Sequence, residues 1–582
     1  MSDQNEVVVL KFGSSILSGE GRLGDAVREV YREVRAGRRV VAVVSAIGHT
    51  TDRLVNRAGV ISADPDPGAF AALLATGEAR ASAEVALALD AAGIPTTLLT
   101  SHELAIRTTG LRLDAQPVSL DTARVKAALE RSSVVVVPGF VGVGDDGATT
   151  LLGRGGSDYT ALFIAEQISA DRVRLLKDVD GWFEGDPEEP GPDGAPVARY
   201  ERLSWADAAQ SDAPVVQHKA VLFAAEHELS FEVGALGSVA PTVVGGHQSR
   251  LAQQAAPRRA LRVALLGLGV VGLGVYRELA RDRRFEVSSI LVKNVRKPRD
   301  RDVPIDLLTD DAEAVLAARP DVVIELLGGL DPAAGIITAA LSRGIDVVTA
   351  NKAVIARDGG ELHGLAWRRG VELRYSASVG GALPALEVVR RIASQSPIRS
   401  IRGVLNGTTN FILDRLGSGR SFREALAEAQ ANGFAEADPS NDLNGRDAGA
   451  KLTLLVRAAF DEEFASSEIA CTGIELAASP PYQPPTDGRR DRLVAEAVLT
   501  DDGVRARVSM QRLAGDDPLA AVHAERNAIV ITTADGRSVV LRGRGAGRAP
   551  TTASVYADLG DVWQAAGRAR AATGTRAEVA LS

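Results

Sequence analysis

The stretch Val263-Ala264-Leu265-Leu266-Gly267-Leu268-Gly269-Val270-Val271-Gly272 decides the fold of half of this chain. Its apolar start predicts a buried strand, and the glycines predict a tight turn into a helix over 271–280. Gly267 suits the turn, Gly269 the close approach of backbone to a pyrophosphate, and Gly272 the packing of helix on sheet. Glycine-rich turns also serve structure alone; the strand before and the helix after favour a dinucleotide site. Where the second strand ends, a ribose 2′-hydroxyl calls for an acidic residue, but the chain carries Val292-Lys293-Asn294-Val295-Arg296-Lys297. Those cations suit a 2′-phosphate, so NADP is expected over NAD, although a solvated basic loop is the plainer reading of Arg296 and Lys297.

Further along, the run from Gly433 through Glu436, Asp438 and Asp442 to Asp447, with Lys451 four residues later, sets carboxylates and a lysine around an apolar helix start. Asp447 and Lys451 lie one helical turn apart, so they share a face and the carboxylate can orient the ammonium. Hydride transfer to a carbonyl builds negative charge on its oxygen, which a positioned ammonium stabilises and protonates. By spacing alone the pair reads as an ordinary surface ion pair. Lys352 follows the strand 346–349, at the end where open α/β sheets bind ligands, though alone it reads as solvated surface. Together with the glycine turn, these residues point to a dehydrogenase.

With 582 residues the chain exceeds one core, and about 150 residues per domain suggests about four structural units. Its 45% hydrophobic content and 58 glycines describe a turn-rich α/β protein rather than a disordered one. A net charge of −9 gives no reason to expect nucleic-acid binding. Cys471 is alone, which excludes an internal disulfide, and a buried, inert thiol is expected. The start Met1-Ser2-Asp3-Gln4-Asn5-Glu6 has no basic leader and no apolar run approaches a membrane span, so a cytoplasmic location without a membrane partner is expected. Apolar runs at 7–10, 40–44, 134–137 and 173–176 alternate with helical stretches such as 23–35 and 71–89. A polar, small-residue stretch over 246–260 reads as a linker, after which the alternation restarts at 263–266, 287–291, 322–325 and 347–348.

The region 261–559 resembles the homoserine dehydrogenases. The nucleotide turn, Thr349-Ala350-Asn351-Lys352-Ala353, Ala377-Ser378-Val379-Gly380-Gly381, Leu405-Asn406-Gly407-Thr408-Thr409-Asn410, the 436–451 block and Gly543-Arg544-Gly545-Ala546-Gly547 carry the resemblance in order. It implies a Rossmann-type domain over 261–376, completed by 543–575, and an α+β catalytic domain over 377–542. It also implies that aspartate semialdehyde is reduced to homoserine, with Lys451, Asp447 and Lys352 catalytic and Glu436, Asp442, Thr408 and Gly407 holding substrate. Glu436 and Asp442 would take the substrate ammonium, and Thr408 would offer a hydroxyl or backbone donor to its carboxylate. NADP would lie against Gly267, Gly269, Val270, Val271, Gly272, Lys293, Thr349, Lys352 and Gly547. The carbonyls of Val379, Gly381 and Leu383 would ligate Na+ or K+, but Ser376 stands where the family often has an acidic residue.

The region 7–244 resembles the aspartokinase branch of the amino-acid kinases, through Lys11-Phe12-Gly13-Ser14-Ser15, Ser45 to Asp52, Gly77-Glu78, Gly153-Arg154-Gly155-Gly156-Ser157-Asp158 and Asp178-Val179-Asp180-Gly181. The resemblance implies an αβα sandwich over 1–245 that phosphorylates aspartate with ATP and Mg2+. Lys11 would neutralise the transferred group beside Gly13, Ser45 and Thr51 would line the site, and Glu78, Arg154 and Asp158 would hold aspartate. Asp178 and Asp186 would lie by the nucleotide. Ser14 replaces a glycine, Lys177 a threonine, Glu188 an arginine, and Pro214 the lysine of the pattern; Lys177 or Lys219 can restore that cation. The expected whole is a short bifunctional aspartokinase/homoserine dehydrogenase without the paired ACT regulatory domains, serving threonine and methionine synthesis and forming a homo-oligomer. The competing expectation is a dehydrogenase whose kinase-like module is inactive and serves assembly or binding.

Overall fold

The computed structural model describes residues 6–579 except 20, 190–196, 212–214, 254–258, 461–463, 475–476, 478–482, 484, 486 and 546. Pro214 therefore lies outside the described residues. The chain divides into two units, Met1–Pro257 and Arg258–Ser582.

The N-terminal unit is laid on a nine-stranded mixed sheet. From one edge inward it is parallel, running through Thr96–Leu98, Val134–Pro138, Arg39–Val44, Val7–Phe12, Arg172–Lys177 and Phe231–Ala235. Strands this apolar need cover on both faces. Helix Arg22–Arg35 supplies some of it by burying Ala26, Val27, Val30, Tyr31 and Val34, a stripe of helical period. Helix Gly156–Ile168 is buried almost all round. Because Val7–Phe12 and Arg172–Lys177 run parallel, with Phe12 opposite Leu176, their C-terminal ends lie side by side. At the far edge, Tyr200–Ser204 pairs with Arg250–Leu251. The stretch expected as a linker over 246–260 thus begins inside this unit. The open edge of Tyr200–Ser204 captures it, helped by the Ser204 amide donating to the Ser249 hydroxyl at 2.9 Å.

The second unit starts as a six-stranded parallel sheet in the order Leu308–Thr309, Phe285–Leu291, Leu261–Leu266, Val322–Glu325, Asp346–Thr349, Leu373–Arg374. The strand order reverses at Leu261–Leu266, and such a reversal opens a crevice at the strands' C-terminal ends. The glycine turn sits there. A Cβ on Gly267 would come within 2.8 Å of the Leu326 carbonyl oxygen, and one on Gly272 within 2.1 Å of the Gly267 carbonyl oxygen. Backbone cannot step aside, so neither position admits a side chain.

The chain then builds a second sheet of Ala470–Cys471, Gly503–Leu513, Arg490–Thr500, Ile398–Val404, Arg526–Thr533 and Ser538–Arg544, antiparallel except for its short first strand. Helix Arg446–Phe460 packs on it with Leu452, Leu454, Leu455 and Val456 buried. Helix Arg548–Val579 returns to the nucleotide-side sheet and places Val555, Tyr556, Leu559 and Val562 in one core with Leu261, Val263 and Leu265. Phe285 meets Tyr556 and Trp563 edge-on at 5.9 and 6.0 Å.

Cys471 corrects the expectation of a buried thiol: it is exposed, on the short edge strand Ala470–Cys471. Its sulfur lies over Gly449, where a Cβ would approach it to 2.8 Å, and this partial burial pushes the thiol pKa up. Among the described residues, no helix is long and apolar enough to cross a membrane.

Candidate active site

Asp447 stands at the centre of the second unit's site. It lies in the first turn of helix Arg446–Phe460, where a carboxylate suits the helix dipole. Its Oδ2 receives Lys451 Nζ at 2.8 Å and its Oδ1 receives Lys352 Nζ at 2.5 Å. Burial works to raise the Asp447 pKa, but the two ammonium groups prevail and hold it well below the usual carboxylate range. Lys451 also donates to the Leu405 carbonyl at 2.8 Å, which leaves one of its three N–H groups for a ligand. Burial tends to lower the Lys352 pKa, and Asp447 with the nearby Asp442 and Glu436 raises it overall.

The turn at Asn406 supports this centre. Its side-chain amide donates to Asp442 at 2.7 Å and to Asp447 at 2.8 Å, while its oxygen caps helix Gly407–Gly417 by accepting the Thr409 amide at 2.8 Å. Burial raises the Asp442 pKa, favouring a cationic partner there. Gly407 has no room for a side chain, since a Cβ would meet the Glu525 carbonyl oxygen at 2.6 Å. The Thr408 hydroxyl donates to the Phe434 carbonyl at 2.6 Å, so the donors this turn can offer are the backbone amides of Gly407 and Thr408. Glu436 is exposed at the rim, close enough to act on Lys352.

Glu325, which the sequence reading did not single out, organises the nucleotide side. It is fully buried at the end of Val322–Glu325. Oε1 accepts the amides of Leu327 at 2.8 Å and Gly328 at 3.3 Å, and the Asn351 side chain at 3.4 Å. Oε2 accepts the Thr349 hydroxyl at 2.5 Å. Asn351 in turn donates to the Gly329 carbonyl at 2.7 Å and caps helix Lys352–Arg369. One carboxylate therefore ties the loop beside the glycine turn to the residue that begins the Lys352 helix. The signal in the sequence was an acid closing an otherwise apolar strand.

Gly269 precedes helix Val270–Leu279 with no side-chain cap and no heavy atom within 4 Å of a built Cβ, a cradle that fits a pyrophosphate. Val270 is exposed on the first helical turn and Val271 half-buried. Lys293 is exposed and forms no ion pair with another described residue. Gly547, with φ of 121°, precedes the returning helix. Near Gly381, whose built Cβ would touch the Arg544 carbonyl oxygen at 3.0 Å, one of the three expected cation ligands already accepts a hydrogen bond, and the residue in place of the family's acid is engaged as well. The Leu383 carbonyl accepts the Ala385 amide at 2.7 Å, and the Ser376 hydroxyl donates to Asp558 at 2.6 Å.

In the first unit the strand ends bring Lys11, Asp158 and Lys177 together. Asp158 Oδ1 receives Lys11 at 2.7 Å and Oδ2 receives Lys177 at 2.8 Å. Burial opposes the Asp158 charge, yet the two lysines bring its pKa down to about 2, while burial lowers that of Lys11. Gly13 lies beside them, its built Cβ 3.4 Å from Lys11 Nζ. Ser45 is buried at the end of Arg39–Val44. Next to it the Ala46 amide donates to Glu78 at 3.3 Å, and burial pushes the Glu78 pKa up to about 7. Thr51 is in the first turn of helix Thr50–Ile61. Arg154 is exposed in the glycine turn before helix Gly156–Ile168, and Asp178 is exposed after Lys177. Asp186 folds back on the Glu188 amide at 2.9 Å, and Lys219 is held by Asp114 at 2.9 Å; neither contact joins the Asp158 cluster.

A glycine cradle at a sheet switch point, in the same unit as a buried lysine held on a carboxylate, defines the second unit as a dinucleotide-dependent dehydrogenase. Family models narrow this: "Homoserine dehydrogenase, NAD binding domain" matches 267–376, "Homoserine dehydrogenase" matches 384–559, and "Amino acid kinase family" matches 6–233. The homoserine dehydrogenase of Synechocystis sp. is 37% identical over 320 residues, covering 51% of this chain and 72% of the relative. That of Corynebacterium glutamicum is 38% identical over 320 residues, covering 52% and 72%. A crystal structure of homoserine dehydrogenase from Thiobacillus denitrificans shares 32% identity at a TM-score of 0.47, covering 52% of this chain and 73% of that one. The chain belongs to the homoserine dehydrogenase family and carries an amino acid kinase domain before it.

In Glu325→Gln, an amide N–H faces a Thr349 hydroxyl that already accepts the Asn351 amide at 2.9 Å. Dinucleotide binding by the folded variant is expected to weaken about tenfold, the effect of roughly one hydrogen bond to a charged group, and kcat to fall with it. Titration of cofactor fluorescence checks this; parental affinity and turnover together would remove Glu325 from its organising role.

Proposed function

We propose that the Arg258–Ser582 unit reduces L-aspartate 4-semialdehyde to L-homoserine with NADPH, and that the Met1–Pro257 unit transfers the γ-phosphoryl group of ATP to L-aspartate. The observation that carries the first activity is Asp447 held between Lys352 and Lys451. The remaining N–H of Lys451 faces the carbonyl oxygen, stabilises its developing charge and supplies the proton. Asp447 fixes both lysines in place and favours the charged form of Lys352. Asp442 and Glu436 take the substrate ammonium, and the Gly407 and Thr408 amides take its carboxylate. Gly267, Gly269, Val270, Val271, Gly272, Thr349, Lys352 and Gly547 are the residues that would hold the cofactor, with Lys293 on a 2′-phosphate. The bound dinucleotide supplies hydride to the aldehyde carbon. The carbonyls of Val379 and Gly381, with Leu383, are the candidate ligands of a monovalent cation.

The second activity is supported by Lys11 on Asp158 beside Gly13, with Arg154 at the rim to grip a substrate carboxylate by its fork. Ser45, Thr51 and Glu78 line the aspartate side, and Asp178 and Asp186 the nucleotide side, where Mg2+ accompanies ATP. The two reactions are not consecutive, because aspartyl phosphate must be reduced to the semialdehyde between them. A cytoplasmic homo-oligomer acting on small molecules completes this reading.

Lys451→Ala is expected to lower kcat for semialdehyde reduction by roughly two orders of magnitude or more while dinucleotide affinity changes little. Near-parental turnover in the folded variant would sink the role given to Lys451. NADPH is expected to be preferred to NADH, and Lys293→Asp to shrink that preference; equal kcat/KM values in the parent would refute it. Aspartate-dependent ADP release is expected from the parent and should fall at least about 100-fold in Lys11→Ala. If both chains release ADP at the same background rate, the first unit is no kinase.

A further inference from the structure

The N-terminal unit buries one carboxylate under two lysines contributed by neighbouring strands. Lys11 belongs to Val7–Phe12 and Lys177 closes Arg172–Lys177, and each takes a different oxygen of Asp158. We infer that Lys177 is a second phosphate-neutralising lysine of this unit, acting with Lys11 on the phosphoryl group taken from a nucleoside triphosphate. The inference rests on the kinase reading above.

Charge is the first argument. Two lysines share a single carboxylate, so whenever both are protonated the cluster carries a net positive charge in a mostly buried place, which is why burial works against the Lys11 charge. Lys11 and Asp158 are 6% and 4% exposed, and an unbalanced charge so placed is costly until an anion arrives. Asp178 acts on Lys11 as well, but it is exposed and its field is screened by water. Glu78, with a pKa near 7, is partly protonated at neutral pH.

Position is the second. Both ammonium groups lie at the C-terminal ends of parallel strands, where the glycine turn Gly153 to Gly156 opens helix Gly156–Ile168 with Gly155 at φ of 72° and no side-chain cap. Gly13 keeps the space beside Lys11 free of a side chain. Each lysine has three donors and spends one on Asp158, so others remain to reach non-bridging oxygens. Lys219, the other candidate for the missing cation, is held on Asp114 and the Leu152 carbonyl and makes no contact with Asp158.

In the reaction an oxygen of the aspartate side chain forms a bond to the γ-phosphorus as the bond to the β,γ-bridging oxygen breaks, and the electron pair leaves with ADP. The nucleophile is already a carboxylate, so no proton moves. What the site must supply is positive charge around the transferring group, and two lysines held at fixed positions by Asp158 supply it.

The test uses the full chain and Lys177→Gln, which keeps a donor for Asp158 but removes the charge, with Lys177→Arg and Lys177→Thr beside it. Aspartyl phosphate is measured as its hydroxamate, and binding of the Mg2+ complex of a non-hydrolysable ATP analogue by calorimetry. Dehydrogenase turnover and the thermal midpoint report that each chain is folded. The expectation is a fall of about 100-fold in kcat for Lys177→Gln, partial recovery in Lys177→Arg, and no recovery in Lys177→Thr although it restores the family residue. Analogue affinity should drop about tenfold in Lys177→Gln. An active parent with Lys177→Gln or Lys177→Thr within twofold of it overturns the inference and leaves the kinase reading standing. A parent that binds the analogue without turnover, and loses affinity in Lys177→Gln, ends the kinase reading and supports Lys177 as a phosphate ligand. No binding by the parent, or binding unaffected by Lys177→Gln, overturns the inference.

Discussion

The second unit depends on one ion triad, Lys352, Asp447 and Lys451. Its members come from two bodies: Lys352 begins the helix that follows the parallel sheet, and Asp447 and Lys451 belong to the helix packed on the antiparallel one. A carboxylate this buried is tolerable only while its partners are in place, so the triad fixes where the two sheets' helices meet. Arg457 reinforces the junction by donating to the Ile355 carbonyl at 2.9 Å. Substrate and cofactor residues hang from this joint, Asn406 reaching Asp447 from one side and the Glu325 network holding the start of the Lys352 helix from the other.

The first unit uses the same device with a different electrostatic outcome. Asp158 also holds two lysines, but burial lowers the Lys11 pKa, whereas Asp447, Asp442 and Glu436 together raise that of Lys352. Carboxylates crowd the second site, which suits a substrate bearing an ammonium group. The first site has an excess of cations, which suits phosphate. One motif, a shared acid between two amines, is thus turned toward opposite ligands by what surrounds it.

Much of this was legible because it is local. Valine-rich runs read as buried strands, and the turn at Gly267 to Gly272 read correctly because the clash forbidding side chains there is with the turn's own backbone and the adjacent strand end. The meeting of Asp447 and Lys451 follows from helical spacing. What escaped depends on distant residues: Glu325 serves a loop and a strand end, and Asn406 bridges two aspartates brought to it by the helices Ser440–Leu443 and Arg446–Phe460. Lys177 was legible as one of two cations able to stand in for the missing lysine, but its partner was not, because the ammonium group it sends to Asp158 crosses between elements. The thiol of Cys471 was misjudged because its exposure is set by an edge strand too short to announce itself.

The returning helix Arg548–Val579 has a consequence for how the protein is made. Arg284 reaches the Tyr556 hydroxyl at 3.3 Å across 272 positions of chain, and the core that contains Leu261 and Val263 is completed by Val555 and Leu559. A ribosome working from the N-terminus delivers the parallel strands first, then the entire antiparallel sheet, and only afterwards the helix that covers Leu261 and Val263. The nascent nucleotide sheet therefore waits with an apolar face covered only in part, by helix Val270–Leu279, while the Met1–Pro257 unit already has all its strands. Vectorial synthesis thus makes the last helix of the chain a condition for completing the nucleotide core begun at Leu261.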